Sequence, residues 1–162
     1  MKRIAIFLLL ALSCVAAVWS QQAVALKQKS LLHWNIGTAH FSGITPLGGD
    51  RYALVSDKDP ADGFFVFRIV QDSVSGEVLH VEMEGFRGNP SPQVDSRGIS
   101  LRDSEGIVYH EGRNTVFISG EGDQQILEYT LDGRPTGVRL QVPESYSRRH
   151  IISNYGFEAL AY

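Results

Sequence analysis

Thiols are nearly absent from this chain of 162 residues, because Cys14 is its only cysteine. A disulfide framework and a cysteine-built metal site are therefore excluded. Positive charge is not in excess either. Fifteen lysines and arginines face 18 aspartates and glutamates, for a net charge of −3. A nucleic-acid-binding surface shows the opposite balance, so nucleic acid is not an expected partner. The histidines, His33, His40, His80, His110 and His150, show no H-x-x-x-H spacing. No glycine loop that could cradle a phosphate opens onto a helix, so nucleotide binding is unsupported. Ser42 and Ser119 lie outside any G-x-S-x-G elbow, which removes the usual hydrolase nucleophile.

Long apolar runs are confined to the N-terminus. Met1-Lys2-Arg3 is a cationic start, Ile4 to Trp19 carries no charge, and Ala23-Val24-Ala25 offers small side chains for cleavage. That order is the pattern of a secretory signal over residues 1–25, with cleavage after Ala17 as a second position. The apolar run is shorter than the roughly 20 residues of a spanning helix. A secreted or periplasmic protein is expected. The alternatives are a membrane anchor through the same segment or a lipidated Cys14, for which Ala11-Leu12-Ser13 is a poor match. Removing residues 1–25 takes away Lys2 and Arg3 and no acid, leaving 13 basic against 18 acidic residues, net −5.

What the rest does contain is 43% apolar residues, 10% aromatics, and 16 glycines and six prolines spread along the chain. This composition supports a core built from short strands and many turns. Ala39–Thr45 and Arg51–Ser56 read as strands around the turn Pro46–Asp50, Asp57–Gly63 as a polar loop, and Phe64–Ile69 as an aromatic strand. Val78–Met83 alternates, and Gly85–Pro92 reads as an irregular connection. The order then recurs: Glu105–Tyr109, a turn, Thr115–Ser119, a loop, Gln125–Leu131, the hairpin signal Asp132-Gly133, and Gly137–Val142. Gly43 and Gly106 stand 63 residues apart, as do Ser56 and Ser119. Gly156–Tyr162 looks like another such opening.

A repeated four-strand unit is the signature of a β-propeller blade, with a plain β-sandwich as the alternative. The expected fold is all-β: a partial propeller over residues 26–162, with two four-stranded blades and the start of a third. Propellers close with about 4 to 8 blades, so the chain is expected to be the N-terminal part of a longer protein. Further blades or a partner strand would then cover its open edges.

Asp103-Ser104-Glu105-Gly106-Ile107 resembles the D-x-E-G-I element of the family named for an esterase-like activity of phytase. Ser119-Gly120-Glu121-Gly122-Asp123 is similar to that family's S-x-E-G-D stretch. Asn154–Ala161 resembles its N-x-G-F-E-G-L-A element, with Ala159 in place of the second glycine. Phe41-Ser42-Gly43-Ile44 and Tyr52–Asp57 resemble its opening. The likeness covers about residues 38–162, in the family's order. It implies an exported propeller with ester hydrolase activity.

The repeat places Glu105 and Glu158 at matching positions of successive units, with Ser42 at that place in the first. Two carboxylates converging at a channel mouth are suited to hold a divalent cation, calcium first, through oxygen ligands. Crowding would also split their acid and base roles. Asp103, Glu121 and Asp123 complete the candidate ligand set. Asp57 occupies the comparable loop of the first unit, where Asp59 and Asp62 make a solvated acidic loop the default reading. The expected activity is metal-assisted hydrolysis of a small ester or phosphoester, with Glu105 and Glu158 as ligands or general base. This chain alone is not expected to be active. The alternative is a non-catalytic binding or scaffold propeller in the periplasm, in the cell envelope or outside the cell, whose glutamates accept backbone N–H groups and staple blades together. Arg148-Arg149-His150 reads as a solvated basic loop, and Phe64, Phe65 and Phe67 as core.

Overall fold

The computed structural model describes residues 25–37, 39–147, 149–151 and 155–162. Residues 1–24, most of the expected signal segment and with it Cys14, lie outside the described residues, as do Arg148 and Asn154.

Eight strands form two four-stranded antiparallel sheets, each a simple meander. The first contains β1 (Phe41–Gly48), β2 (Arg51–Ser56), β3 (Asp62–Gln71) and β4 (Val78–Asn89). The second contains β5 (Ser104–His110), β6 (Thr115–Gly120), β7 (Gln125–Thr130) and β8 (Pro135–Arg139). Among the described residues the only helical pieces are three short 3₁₀ turns.

Period-two alternation explains how the sheets stack. In β2 and β3, Ala53, Val55, Phe64 and Val66 point one way and meet Ile107, Val116, Ile118 and Tyr129 of the second sheet in one buried cluster. Leu54 and Phe67 point the other way, where Ile36 and Val81 close a second cluster. Strands with apolar side chains on both faces must be covered on both faces. The second sheet covers one face of the first, and the segment Leu31–Ile36 lies over part of the other. Each fully buried side chain contributes about 1.5–3 kcal/mol, so the inter-sheet cluster is the main apolar tie between the two units.

Several details differ from the expected layout. Residues 85–89 continue β4 instead of forming a loose connection: Gly85 pairs with Val66 and Gly88 with Gly63. Glu84 bulges out of the ladder between Gly85 and Met83 and forms an ion pair with Arg51 at 2.9 Å. A bulge absorbs the irregularity that glycine-rich sequence suggests, and pairing continues beyond it. The aromatic strand begins at Asp62, inside the expected loop, and β8 ends at Arg139. Residues 155–162 carry no strand; they run as an irregular segment beside β5. Two packed antiparallel meanders are thus what the structure shows of the expected all-β fold.

Both junctions along the first strands have no room for a side chain. A Cβ on Gly43 would lie 2.7 Å from the Glu105 carbonyl oxygen. A Cβ on Gly106 would lie 2.7 Å from the Leu160 nitrogen and 2.9 Å from the Ala159 carbonyl carbon. Polar bonds reinforce the first junction: the Ser42 hydroxyl donates to the Ser104 carbonyl at 2.7 Å, and the Tyr109 N–H donates to Thr45 Oγ1 at 3.0 Å.

Candidate functional site

The close approach of β1 to β5 brings the loop after β2 against the start of β5. Asp57 follows the last residue of β2, and its N–H donates to the His40 carbonyl at 3.0 Å. Asp103 immediately precedes β5 in a left-handed conformation, φ 51°, which aspartate tolerates better than most residues. Glu105 is the second residue of β5. One carboxylate oxygen from each of these three residues lies within 4.8 Å of the others, and all three side chains are half-buried.

Crowding and burial act together on this cluster. Burial, then the charges of Asp57, Glu158, Asp103 and Glu121, push the Glu105 carboxyl up to about 7. Burial also raises Asp103, against the pull of the Lys58 ammonium. Lys58 is the cation now at the site, with Nζ 3.0 Å from Asp57 Oδ2 and 3.9 Å from Asp103 Oδ1. Its side chain is 61% exposed, so its ammonium can leave for water at little cost. Asp57 Oδ1 is buried and has no hydrogen-bond partner. A buried carboxylate oxygen without a donor is the kind of vacancy a hard cation satisfies.

The expected site residues therefore separate. Asp103 and Glu105 come together, and Asp57 joins them. Glu121 is buried nearby and adds to the field on both, but its Oε1 accepts the Gly156 N–H at 3.0 Å. Glu158 is exposed on the irregular last segment, and its charge reaches Glu105. Asp123 is held by Arg102, with Nη1 donating to Oδ2 at 2.7 Å, and accepts the Gln125 N–H. Burial raises its carboxyl against the pull of that arginine. Ser119 is buried, and its hydroxyl accepts the Gly106 N–H at 3.0 Å.

Asp57 is the residue that sequence reasoning passed over, as one of three acids in an apparently solvated loop. The three have different surroundings. Asp59 caps the Ala61 N–H at 2.9 Å and Asp62 accepts the Tyr129 hydroxyl at 2.7 Å, while Asp57 turns to the cluster. The 63-residue offset held the signal, since it sets Asp57 level with Gly120, which pairs with Ser104 between Asp103 and Glu105. The apolar cleft of about 690 Å³ beside Leu31, Trp34, Leu54 and Phe67 contains none of these carboxylates. The acid cluster is a rim feature between two loops.

A half-buried trio of carboxylates with one orphaned oxygen can bind a divalent ion, and a glutamate that titrates near neutrality can give or take a proton. No curated protein and no solved structure matches the chain. The family model described as phytase-like, esterase-like activity of phytase, matches residues 36–162 and so spans both sheets and every carboxylate discussed above. The chain belongs to that phytase-like family.

Proposed function

We propose that the protein is an exported β-propeller of the phytase-like family whose Asp57–Asp103–Glu105 cluster binds a divalent cation, calcium first, in hydrolysis of a small ester or phosphoester. The observation that carries the reading is the convergence of three carboxylates from two sheets within 4.8 Å. One central cation with oxygen ligands at roughly 2.3–2.6 Å accommodates that spacing. Asp57 and Asp103 would be the holding ligands, and the orphaned Asp57 Oδ1 supplies an acceptor with no competing donor. When bound, such an ion polarises an ester oxygen and acidifies water. Glu105, half-buried and titrating near 7, is the group of this chain placed to hold or release a proton at neutral pH. The charge of Glu158 adds to the rise of the Glu105 carboxyl.

The ring arrangement is supported by recurrence. Gly43 packs against residues 105–107, and Gly106 packs in the same way against 159–160. One unit-to-unit step used twice is what rotation about a common axis produces. The cationic start and the uncharged run Ile4–Trp19 support export to the periplasm, the envelope or the outside.

Glu121 favours a second reading for itself. Its bond to the Gly156 N–H and that of Ser42 to the Ser104 carbonyl are staples between successive units, as a binding or scaffold propeller would need. Calcium added to the purified protein decides between the readings. A cation site predicts a higher melting temperature for the wild type and none for Glu105→Gln. No shift in the wild type, with no turnover of aryl phosphates or aryl carboxylate esters, leaves the staple reading in place.

A further inference from the structure

We propose that Arg102 is a positioning residue for the carboxylate cluster, holding the loops that carry Asp57, Asp103 and Glu121 at a fixed separation. The proposal rests on the cation reading above and deepens it.

Arg102 is only 7% exposed. Its guanidinium meets three separate segments. Nη1 donates to Asp123 Oδ2 at 2.7 Å, Nη2 donates to the Ile118 carbonyl at 2.9 Å, and Nε lies 3.5 Å from Asp62 Oδ1. The guanidinium carbon also stands 6.0 Å from the centre of the Tyr129 ring, whose hydroxyl donates to the same Asp62 oxygen. Asp62 begins β3 of the first sheet, Ile118 lies in β6 of the second, and Asp123 lies in the loop that follows it. A buried charge must be compensated, and Asp62 and Asp123 compensate it from opposite sides of the sheet junction. The planar guanidinium hydrogen-bonds Asp123 and Ile118 through its two terminal nitrogens, while Nε faces Asp62 as an ion pair without a hydrogen bond.

The backbone around Arg102 transmits this hold. The Arg102 carbonyl accepts the Gly122 N–H at 2.8 Å, and the Asp103 carbonyl accepts the Glu121 N–H at 2.9 Å. A Cβ on Gly122 would come 2.5 Å from the Leu101 carbonyl oxygen, so the two loops run in direct contact. Asp62 closes the loop that Asp57 opens, Asp103 is the next residue in the chain, and Glu121 is two residues from Asp123. Arg102 therefore touches the frame of each of these three acids, while its own ion pairs are with Asp62 and Asp123. Asp57, Asp103 and Glu105 repel one another and keep a common focus only on a stiff frame, and outer residues of this kind typically set metal affinity by about 10–100-fold.

Calcium chloride titrated calorimetrically into the full chain, well below its melting temperature, tests this. The wild type, Arg102→Met and Arg102→Lys are compared, with a thermal melt of each. The expected result is calcium affinity lower by about tenfold or more in Arg102→Met, partly restored in Arg102→Lys. Where Arg102→Met fails to fold, Asp62→Asn serves, since it cuts the tie to the first sheet alone, and weaker calcium binding is again expected. A variant that melts earlier yet binds calcium with unchanged affinity overturns the positioning role and leaves the cation site standing. A wild type that binds no calcium overturns both.

Discussion

Glu105 and Glu128 sit on the first and third strands of the second sheet, and their environments drive them in opposite directions. Glu128, in β7, is 1% exposed, yet its carboxyl is drawn down to about 2. The Arg113 hydrogen bond is the largest cause; burial opposes it, and Thr136 and Thr115 assist it. Arg113 Nη2 donates to Oε2 at 3.0 Å, Thr115 donates to Oε1 at 2.8 Å and Thr136 donates to Oε2 at 2.6 Å. Glu105 is less buried and goes up to about 7, because burial acts there together with four other carboxylates. Depth alone does not set the charge of an acid; the donors around it do. Glu128 is a completed structural group, and Glu105 belongs to a group whose cation, the mostly exposed Lys58, pairs with Asp57 and Asp103 instead.

Removing the completed group should have the largest effect. Glu128→Ala leaves a cavity and strands the buried Thr115 hydroxyl, and a loss of about 2–4 kcal/mol in urea unfolding near neutral pH is expected. The folded carboxyl titrates below its ordinary value, so this stabilisation is present above about 4.5 and fades as pH falls toward 2. The deficit of the variant should therefore shrink over that window. A deficit that stays constant on acidification would break the comparison.

Glu105→Gln should act with the opposite sign. The folded carboxyl titrates above its ordinary value, so the wild type loses stability as pH rises from about 4.5 to about 7. At about pH 8 the variant should melt a few degrees higher than the wild type, and near pH 4.5 the two should coincide. Thermal melts across that range measure it. A variant less stable at pH 8 would mean that Glu105 already has its partner.

The smallest effect is expected at Lys58. It is mostly exposed, so Lys58→Gln should change stability by less than about 0.5 kcal/mol. The same change should tighten calcium binding, because the ammonium beside Asp57 and Asp103 opposes a second cation there. Weaker calcium binding in the variant would place the ion elsewhere.

Much of this was readable before any coordinates. Alternation and turn residues located most strands of both sheets, and the offset between Gly43 and Gly106 identified the equivalent first strands of the two sheets. The acids of the D-x-E-G-I element, Asp103 and Glu105, were singled out and do come together. Other features escaped because they depend on distant partners. Asp57 looks no different from Asp59 in a loop; only the packing of the first unit against Glu105 distinguishes it. Asp123 looks like a ligand until a buried arginine is found beside it. The continuation of β4 through Gly85 and Gly88 needed the bulge at Glu84, which depends on the β3 register.

Local chemistry alone determined that this chain makes short strands in a repeated order, since period, turn residues and glycine spacing act within a few positions of one another. Tertiary structure decided which acids share a field and which are neutralised. Charges interact through space, and the distance from Asp57 to Glu105 is set by the contact of two sheets whose strands lie far apart in the chain.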